Sequence, residues 1–138
     1  MKEHSIKIET NITTDDITNL LSMAGGGFDY WAEICYNEED YEAARKRLVK
    51  RMEDEKKQAC EVCYEDVCAE ILENGGKLIV YDREEDEDHD LTLQALLDGF
   101  AYYMKLTASD GRTGVDDMDA EVADQILQVA VFGEVIYG

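Results

Sequence analysis

An excess of acidic side chains is the strongest constraint on how this chain folds. The 138 residues include 33 Asp and Glu but only 13 Lys and Arg, a formal net charge of −20 at pH 7. Ionised carboxylates are rarely buried, and like charges repel one another when a chain becomes compact. The fold must therefore spread its charge over the surface and build its core from short apolar stripes. With 45% apolar residue types, the chain has enough of them for a single core.

The same charge excludes several classes of function. Nucleic-acid-binding domains neutralise phosphates with Lys and Arg, and attachment to an anionic membrane also needs cations. No apolar run reaches membrane-spanning length, and the first residues lack the apolar core of a signal peptide. We therefore expect a cytoplasmic protein that binds neither nucleic acid nor membrane directly, with its four cysteines as reduced thiols.

The spacing of apolar residues predicts one α+β domain over residues 1–138. Alternation with a period of two predicts strands at 5–9, 28–36, 77–82 and 89–91, and a β-prone end at 134–137. Stripes at helical spacing predict helices after Thr13, over residues 37–74 with a break near Lys56, after Thr92 and after Asp119. We expect a small mixed sheet of about three to five strands, covered by four or five helices.

Local signals mark where several of these helices begin and end. Thr13 with Asp16 resembles a capping box, and Thr92 and Asp119 are further N-cap candidates. Gly25–Gly27 and Gly133 are suited to left-handed helix ends. The helical stretch at 37–74 is highly charged, because it contains the basic residues Arg45, Lys46, Arg47, Lys50, Arg51, Lys56 and Lys57.

The spacing Cys60-x-x-Cys63 is compatible with half of a tetrahedral metal site, which Cys35, Cys68 or His89 would have to complete. The same cysteines lie on the apolar stripe of a predicted helix, where a reduced Cys packs as a small hydrophobic residue. We expect core packing, with no metal and no other cofactor. No nucleotide-binding or hydrolase motif occurs, and the predicted positions of the two histidines, His4 and His89, favour no catalytic arrangement. The prediction is that the protein is not an enzyme.

Negative charge is concentrated in the second half of the chain and predicts the binding surface. Residues 58–138 carry 20 acidic and 4 basic side chains, against 13 and 9 in residues 1–57. The densest run lacks the spacing of a calcium loop and comprises Asp82, Glu84, Glu85, Asp86, Glu87, Asp88 and Asp90. A second acidic loop contributes Asp110, Asp116 and Asp117.

Trp31 is the candidate apolar anchor of this surface. Alternation along the predicted strand places it on the face opposite to Phe28, Tyr30, Ala32 and Ile34. Solvated turns are the alternative interpretation of the acidic runs, and an acidic protein adapted to a crowded or high-salt setting is the alternative interpretation of the net charge.

Several segments resemble a group of small acidic proteins encoded by phages and prophages of Firmicutes. The matching segments are IETNITTDDITNLL, GGGFDYW, GGKLIVYD, HDLTLQALLDGF and DMDAEVADQILQVAVFGEVIYG. They cover most of the chain except about residues 37–70, so the charged stretch at about 37–74 is interpreted as a helical insertion of this sequence. The resemblance implies a phage origin, and small acidic phage proteins are often similar to inhibitors of host defence, including anti-CRISPR proteins and DNA mimics.

Charge and resemblance together predict a non-enzymatic inhibitor. Its acidic surface would occupy the basic groove of a nucleic-acid-binding host protein, such as a CRISPR effector nuclease. One alternative is a module that sequesters a nucleotide signal with the basic residues between Arg45 and Lys57. Another is a phage structural or assembly protein, in which that basic helix of one copy meets an acidic face of a second copy.

Overall fold

The computed structural model describes residues 1–7, 9–24, 30–55, 62–107 and 118–138. The elements in chain order are α1 (Thr14–Ala24), β1 (Ala32–Cys35), α2 (Glu38–Asp54), α3 (Tyr64–Glu73), β2 (Leu78–Asp82), β3 (Glu87–Leu91), α4 (Leu93–Thr107) and α5 (Ala120–Phe132). The predicted α+β class is confirmed. None of the helices in these ranges combines the length and the apolar character that crossing a bilayer requires.

The three strands form one antiparallel sheet in the order β1-β2-β3. β1 pairs with β2 from Ala32 opposite Asp82 to Cys35 opposite Ile79. β2 pairs with β3 as a hairpin, from Leu78 opposite Leu91. The described strands include no parallel pair, so the expected mixed sheet is antiparallel there.

Both ends of the chain depart from their predicted strands. Residues 1–7 form no strand, and Ile6 is 82% exposed. The β-prone segment at 134–137 is irregular as well, since its backbone is bonded to a side chain of α5 instead of a neighbouring strand. Sheet pairing needs a partner edge, which alternation in one segment does not provide.

The helix caps predicted at Thr13, Thr92, Asp119 and Gly133 are confirmed. Thr13 and Asp16 form a reciprocal capping box, in which each backbone N–H donates to the other's side chain. The Thr92 hydroxyl accepts from the backbone of α4, and Asp119 Oδ1 accepts from that of α5. Gly133 ends α5 with φ = 80°. The predicted glycine cap at 25–27 lies outside the described residues.

One core lies between the sheet and the helices. Its largest fully buried apolar side chains include Leu20 of α1, Leu72 of α3, Phe100 of α4 and Leu127 of α5. Helices α4 and α5 pack at close range because Gly99 has no side chain: a Cβ there would lie 2.4 Å from the Ile126 carbonyl oxygen. Any other residue at position 99 would force these two helices apart.

Within the charged stretch α2 ends at Asp54 and α3 begins at Tyr64, and the predicted break near Lys56 lies outside the described residues. α2 begins after the N-cap Asn37 and fully buries only Ala44. α3 belongs to the core and buries five residues. The two helices are joined by Arg51, which donates to Glu70 Oε2 at 2.5 Å, and by Arg47, 3.5 Å from Glu70 Oε1.

Candidate functional site

The acidic run lies on the β2–β3 hairpin, with the turn at residues 83–86. Six carboxylates are exposed there, and we call them the acidic hairpin: Glu84, Glu85, Asp86, Glu87, Asp88 and Asp90. Lys77 Nζ lies 3.1 Å from Asp90 Oδ2 at the base of the hairpin. Arg83, the first residue of the turn, contacts Glu33 of β1 through Nη2 at 3.4 Å, and the three turn residues after it are all acidic. Such a surface attracts cationic surfaces and repels phosphate groups.

Asp82 is not part of this exposed surface, so its predicted contact with a partner is wrong. Its side chain is fully buried. Asp82 Oδ1 accepts the backbone N–H groups of Glu84 (3.0 Å) and Glu85 (3.4 Å), and Oδ2 accepts from the Tyr137 hydroxyl at 2.8 Å. A carboxylate hydrogen-bonded two or three residues ahead is typical of an Asx-type turn. Asp82 therefore fixes the turn that presents the other acids.

Asp86 completes the turn in a left-handed conformation, with φ = 55°. Asp adopts this region more readily than most residues, because its short polar side chain forms local hydrogen bonds. Here its Oδ1 accepts from the Tyr81 hydroxyl. That hydrogen bond raises the pKa of Tyr81, because it favours the neutral phenol. Glycine would also fit this backbone, but it would remove one of the six exposed charges.

Trp31 is buried, so its predicted role as an exposed anchor is wrong. The strand begins at Ala32, and Tyr30 and Trp31 form a turn to which the alternation does not apply. Residues 28 and 29 of the predicted strand lie outside the described residues. The indole packs against Phe132 and Tyr137, with ring centroids 5.3 and 5.5 Å away. The Trp31 carbonyl accepts from the backbone N–H of Arg83 at 2.6 Å. Trp31 therefore supports the acidic hairpin from below.

A connected set of buried and half-buried polar contacts links Trp31 and Asp82, and sequence analysis missed it. We call it the support cluster: Trp31, Asp82, Asp124, Gln128 and Tyr137. Asp124 Oδ1 accepts from Trp31 Nε1 (2.7 Å) and from Gln128 Nε2 (2.9 Å). The Gln128 amide oxygen accepts the backbone N–H groups of Ile136 (2.9 Å) and Tyr137 (2.7 Å). Tyr137 then donates to Asp82, which closes the path to the hairpin turn.

The support cluster also changes acid–base properties. Burial and the hydrogen bond to Asp82 raise the pKa of Tyr137 to about 12. Burial and the bond to Asp124 raise that of Tyr30 to about 12 as well. The sequence contains a signal for this cluster: Asp124 and Gln128 are four residues apart beside the apolar stripe of α5, and the aromatic Tyr137 follows.

His89 lies on β3 within the acidic hairpin but faces the protein. Its Nε2 is 3.8 Å from Glu87 Oε2, and its ring meets Phe132 edge-on at 5.2 Å. The predicted return strand at 89–91 is thus part of a longer strand that starts at Glu87. Packing against Phe132 adds an apolar contact between the hairpin and α5.

Three further predicted site residues, Asp110, Asp116 and Asp117, lie outside the described residues. So does Cys60 of the proposed metal pair. Cys68 is buried in the core as expected, and burial raises the pKa of its thiol to about 12. Cys63 instead is exposed and precedes α3 as its N-cap, so its predicted place on the apolar stripe is wrong.

The described ranges contain no group of three or more His, Cys, Asp or Glu that could hold a metal ion. No family model, curated protein or solved structure matches the chain. What the described site offers chemically is a dense, ordered negative surface on a buried polar support. That chemistry suits charge-directed binding.

Proposed function

We propose that this protein is a non-enzymatic inhibitor that inserts the acidic hairpin into a basic, nucleic-acid-binding groove of another protein. The observation that carries the proposal is the presentation of six exposed carboxylates on a single hairpin whose turn is bonded to buried Asp82. Complementary charge speeds association and selects basic partners. An ordered turn loses little conformational entropy on binding, so more of the interaction energy contributes to affinity.

The density of the charges supports competition with nucleic acid. Glu87, Asp88 and Asp90 fall within four residues of β3, a strand that rises about 3.4 Å per residue and turns successive side chains to opposite faces. Each strand of a duplex carries about one phosphate per 3.4 Å of helix axis. A groove whose Lys and Arg bind a phosphate backbone therefore meets a comparable density of negative charge on this hairpin.

The resemblance to acidic phage proteins makes a nuclease of bacterial defence the first partner to test, with a CRISPR effector as the leading choice. In this proposal the protein binds the effector and not its nucleic acid, because the net charge of −20 repels phosphates. Inhibition would follow from occupation of the groove, without any covalent step.

The test compares two variants of equal net charge against purified effector nucleases. The hairpin variant replaces Glu84, Glu85 and Glu87 by Gln, and Asp86 and Asp88 by Asn. The control variant replaces five exposed glutamates elsewhere by Gln: Glu3, Glu9, Glu42, Glu53 and Glu134. Affinity is measured by calorimetry over a range of salt concentrations, together with inhibition of cleavage.

We expect the hairpin variant to bind about tenfold more weakly or worse, with a flatter salt dependence. The control variant should bind nearly as tightly as the natural sequence. Equal loss in both variants would contradict the site, because net charge alone would then explain binding. Full inhibition by the hairpin variant would contradict it as well.

A nucleotide-binding module is the second candidate, favoured by one observation at the start of α2. The rings of Tyr36 and Tyr41 stack with centroids 4.3 Å apart, and Arg45 follows Tyr41 by one turn of α2. Aromatic and cationic groups together can bind a nucleobase and its phosphate. Calorimetry with cyclic nucleotides tests this candidate: saturable heat that disappears in Tyr36→Ala would support it over the acidic hairpin.

A further inference from the structure

Helix α4 exposes a face on which charge is balanced, unlike the protein as a whole. The helix contains a single acid, Asp98, and a single base, Lys105. Both are exposed, as are Ala101 and Tyr102 between them. These four positions are separated by three, four and seven residues, so they lie on one stripe of the helix. A second negative molecule can approach this stripe without the repulsion that it would meet at the acidic hairpin.

A groove of about 480 Å³ runs beside this stripe, between α4 and α5. Small residues form much of its lining, including Ala95, Ala101, Ala130 and Gly133. Next to it, Tyr102 is 40% and Leu106 56% exposed. Apolar side chains that remain in water beside a groove of small residues are typical of an interaction surface.

We propose that this face binds a second copy of the chain, with the two α4 helices antiparallel about a two-fold axis between residues 101 and 102. This axis places Asp98 of each copy opposite Lys105 of the other, because both lie equally far from the midpoint. The same axis sets the large Tyr102 of one copy against the small Ala101 of the other. In a two-fold interface every such contact occurs twice.

Charge determines the choice of orientation and of occupant. Parallel α4 helices in register would place Asp98 against Asp98 and Lys105 against Lys105, which is repulsive. The antiparallel arrangement converts both contacts into ion pairs and lets each Tyr102 ring lie on the small residues of the opposite groove. One axis thus satisfies charge and size together, so the surface is complementary to itself.

Charge reversal tests the pairing with the protein alone, independently of what the acidic hairpin binds. Sedimentation equilibrium from about 5 to about 500 µM measures the dimer dissociation constant. Asp98→Lys and Lys105→Asp, tested singly, should each raise that constant about tenfold or more, because two ion pairs become two like-charge contacts. Glu53→Lys and Lys50→Asp on α2 make the same changes of charge off this face and should leave it unchanged.

Two combinations restore the attraction. The double variant D98K/K105D exchanges the charges and should dimerise like the natural chain. A mixture of the two single variants should form heterodimers, because a copy with two lysines meets a copy with two aspartates. A natural chain that stays monomeric over the whole range would overturn the proposal. Dimers unaffected by either reversal, or single variants that fail to associate when mixed, would overturn it equally.

Discussion

The acidic hairpin and helix α2 are both densely charged, but their charges have different partners. On α2 the basic residues lie between two acidic ends, and Arg47 and Arg51 are satisfied within the molecule by Glu70 of α3. In the hairpin turn Arg83 is the single base and contacts Glu33 of β1, while Lys77 contacts Asp90 at the base of the hairpin. Helix α2 fully buries only Ala44, whereas the hairpin turn is hydrogen-bonded to Asp82 of the support cluster.

This difference separates charge that is paired within the fold from charge that stays exposed, and the proposed function assigns only the exposed charge to a partner. Exposed ion pairs contribute little free energy, so α2 gains modestly from its own pairing. The hairpin acids gain nothing from each other, and their repulsion must be offset by buried contacts below them. Four variants test the contrast, in order of decreasing effect.

Trp31→Ala should be the most damaging change, because it removes a fully buried indole that contacts Phe132, Tyr137 and Asp124. Truncating a buried Trp costs about 3–5 kcal/mol. Urea titration followed by circular dichroism measures the free energy of unfolding. A loss below about 1 kcal/mol would show that the hairpin does not depend on this support.

Asp82→Ala should cost about 1–3 kcal/mol, because two backbone N–H groups and the Tyr137 hydroxyl lose their acceptor. The same variant should weaken partner binding, although residue 82 cannot touch a partner. Asp82→Asn keeps an acceptor oxygen and serves as the matched control, with a smaller loss of stability. Unchanged binding by a folded Asp82→Ala protein would contradict the prediction that partner binding depends on the turn geometry fixed by Asp82.

Tyr137→Phe should change how stability depends on alkaline pH. The folded state holds the pKa of Tyr137 at about 12, above its ordinary value of 10.0. Its contribution is therefore complete below pH 10 and is lost as pH rises through about 12, since the unfolded state releases the proton first. Urea midpoints measured upward from pH 8 should fall less steeply in Tyr137→Phe than in the natural chain. Equal slopes in the two proteins would contradict this role of the Tyr137 hydroxyl.

Arg51→Ala should have the smallest effect, at most about 1 kcal/mol, because its side chain is 51% exposed and Arg47 still contacts Glu70. The loss should shrink further in high salt, which screens exposed pairs. Denaturant midpoints at low and high salt measure it. If the free energy of unfolding fell as much as in Trp31→Ala, the contrast between the weakly stabilising ion pairs of α2 and the buried support of the acidic hairpin would be wrong.

Structural features formed by residues close in sequence were predictable, whereas those that depend on contacts between residues far apart in sequence were not. The capping box at Thr13 and Asp16 and the glycine end at Gly133 are complete within a few residues, so their signals are local. Asp82 depends on Tyr137, 55 positions away, and Trp31 depends on Asp124, 93 positions away. No periodicity can connect residues that far apart, which is why both were predicted on the surface.

The same reasoning explains the outcome for the candidate site. Exposure of Glu84 to Asp88 follows from charge, since a run of acids in a turn stays in water. The single exception, Asp82, is the residue where the strand ends and the turn begins. A carboxylate at that position can accept hydrogen bonds from the backbone N–H groups of the turn. Its side chain then points into the protein and is no longer exposed at the surface.

Trp31 is the only tryptophan in the chain, and eight tyrosines accompany it. Because its indole is buried and its carbonyl accepts from the backbone N–H of Arg83, which opens the hairpin turn, its emission is a built-in optical reporter of that turn. Binding at the acidic hairpin that shifts Arg83 would alter the environment of the indole directly. The natural protein can therefore report occupation of its own site by fluorescence, with no dye attached and no residue replaced.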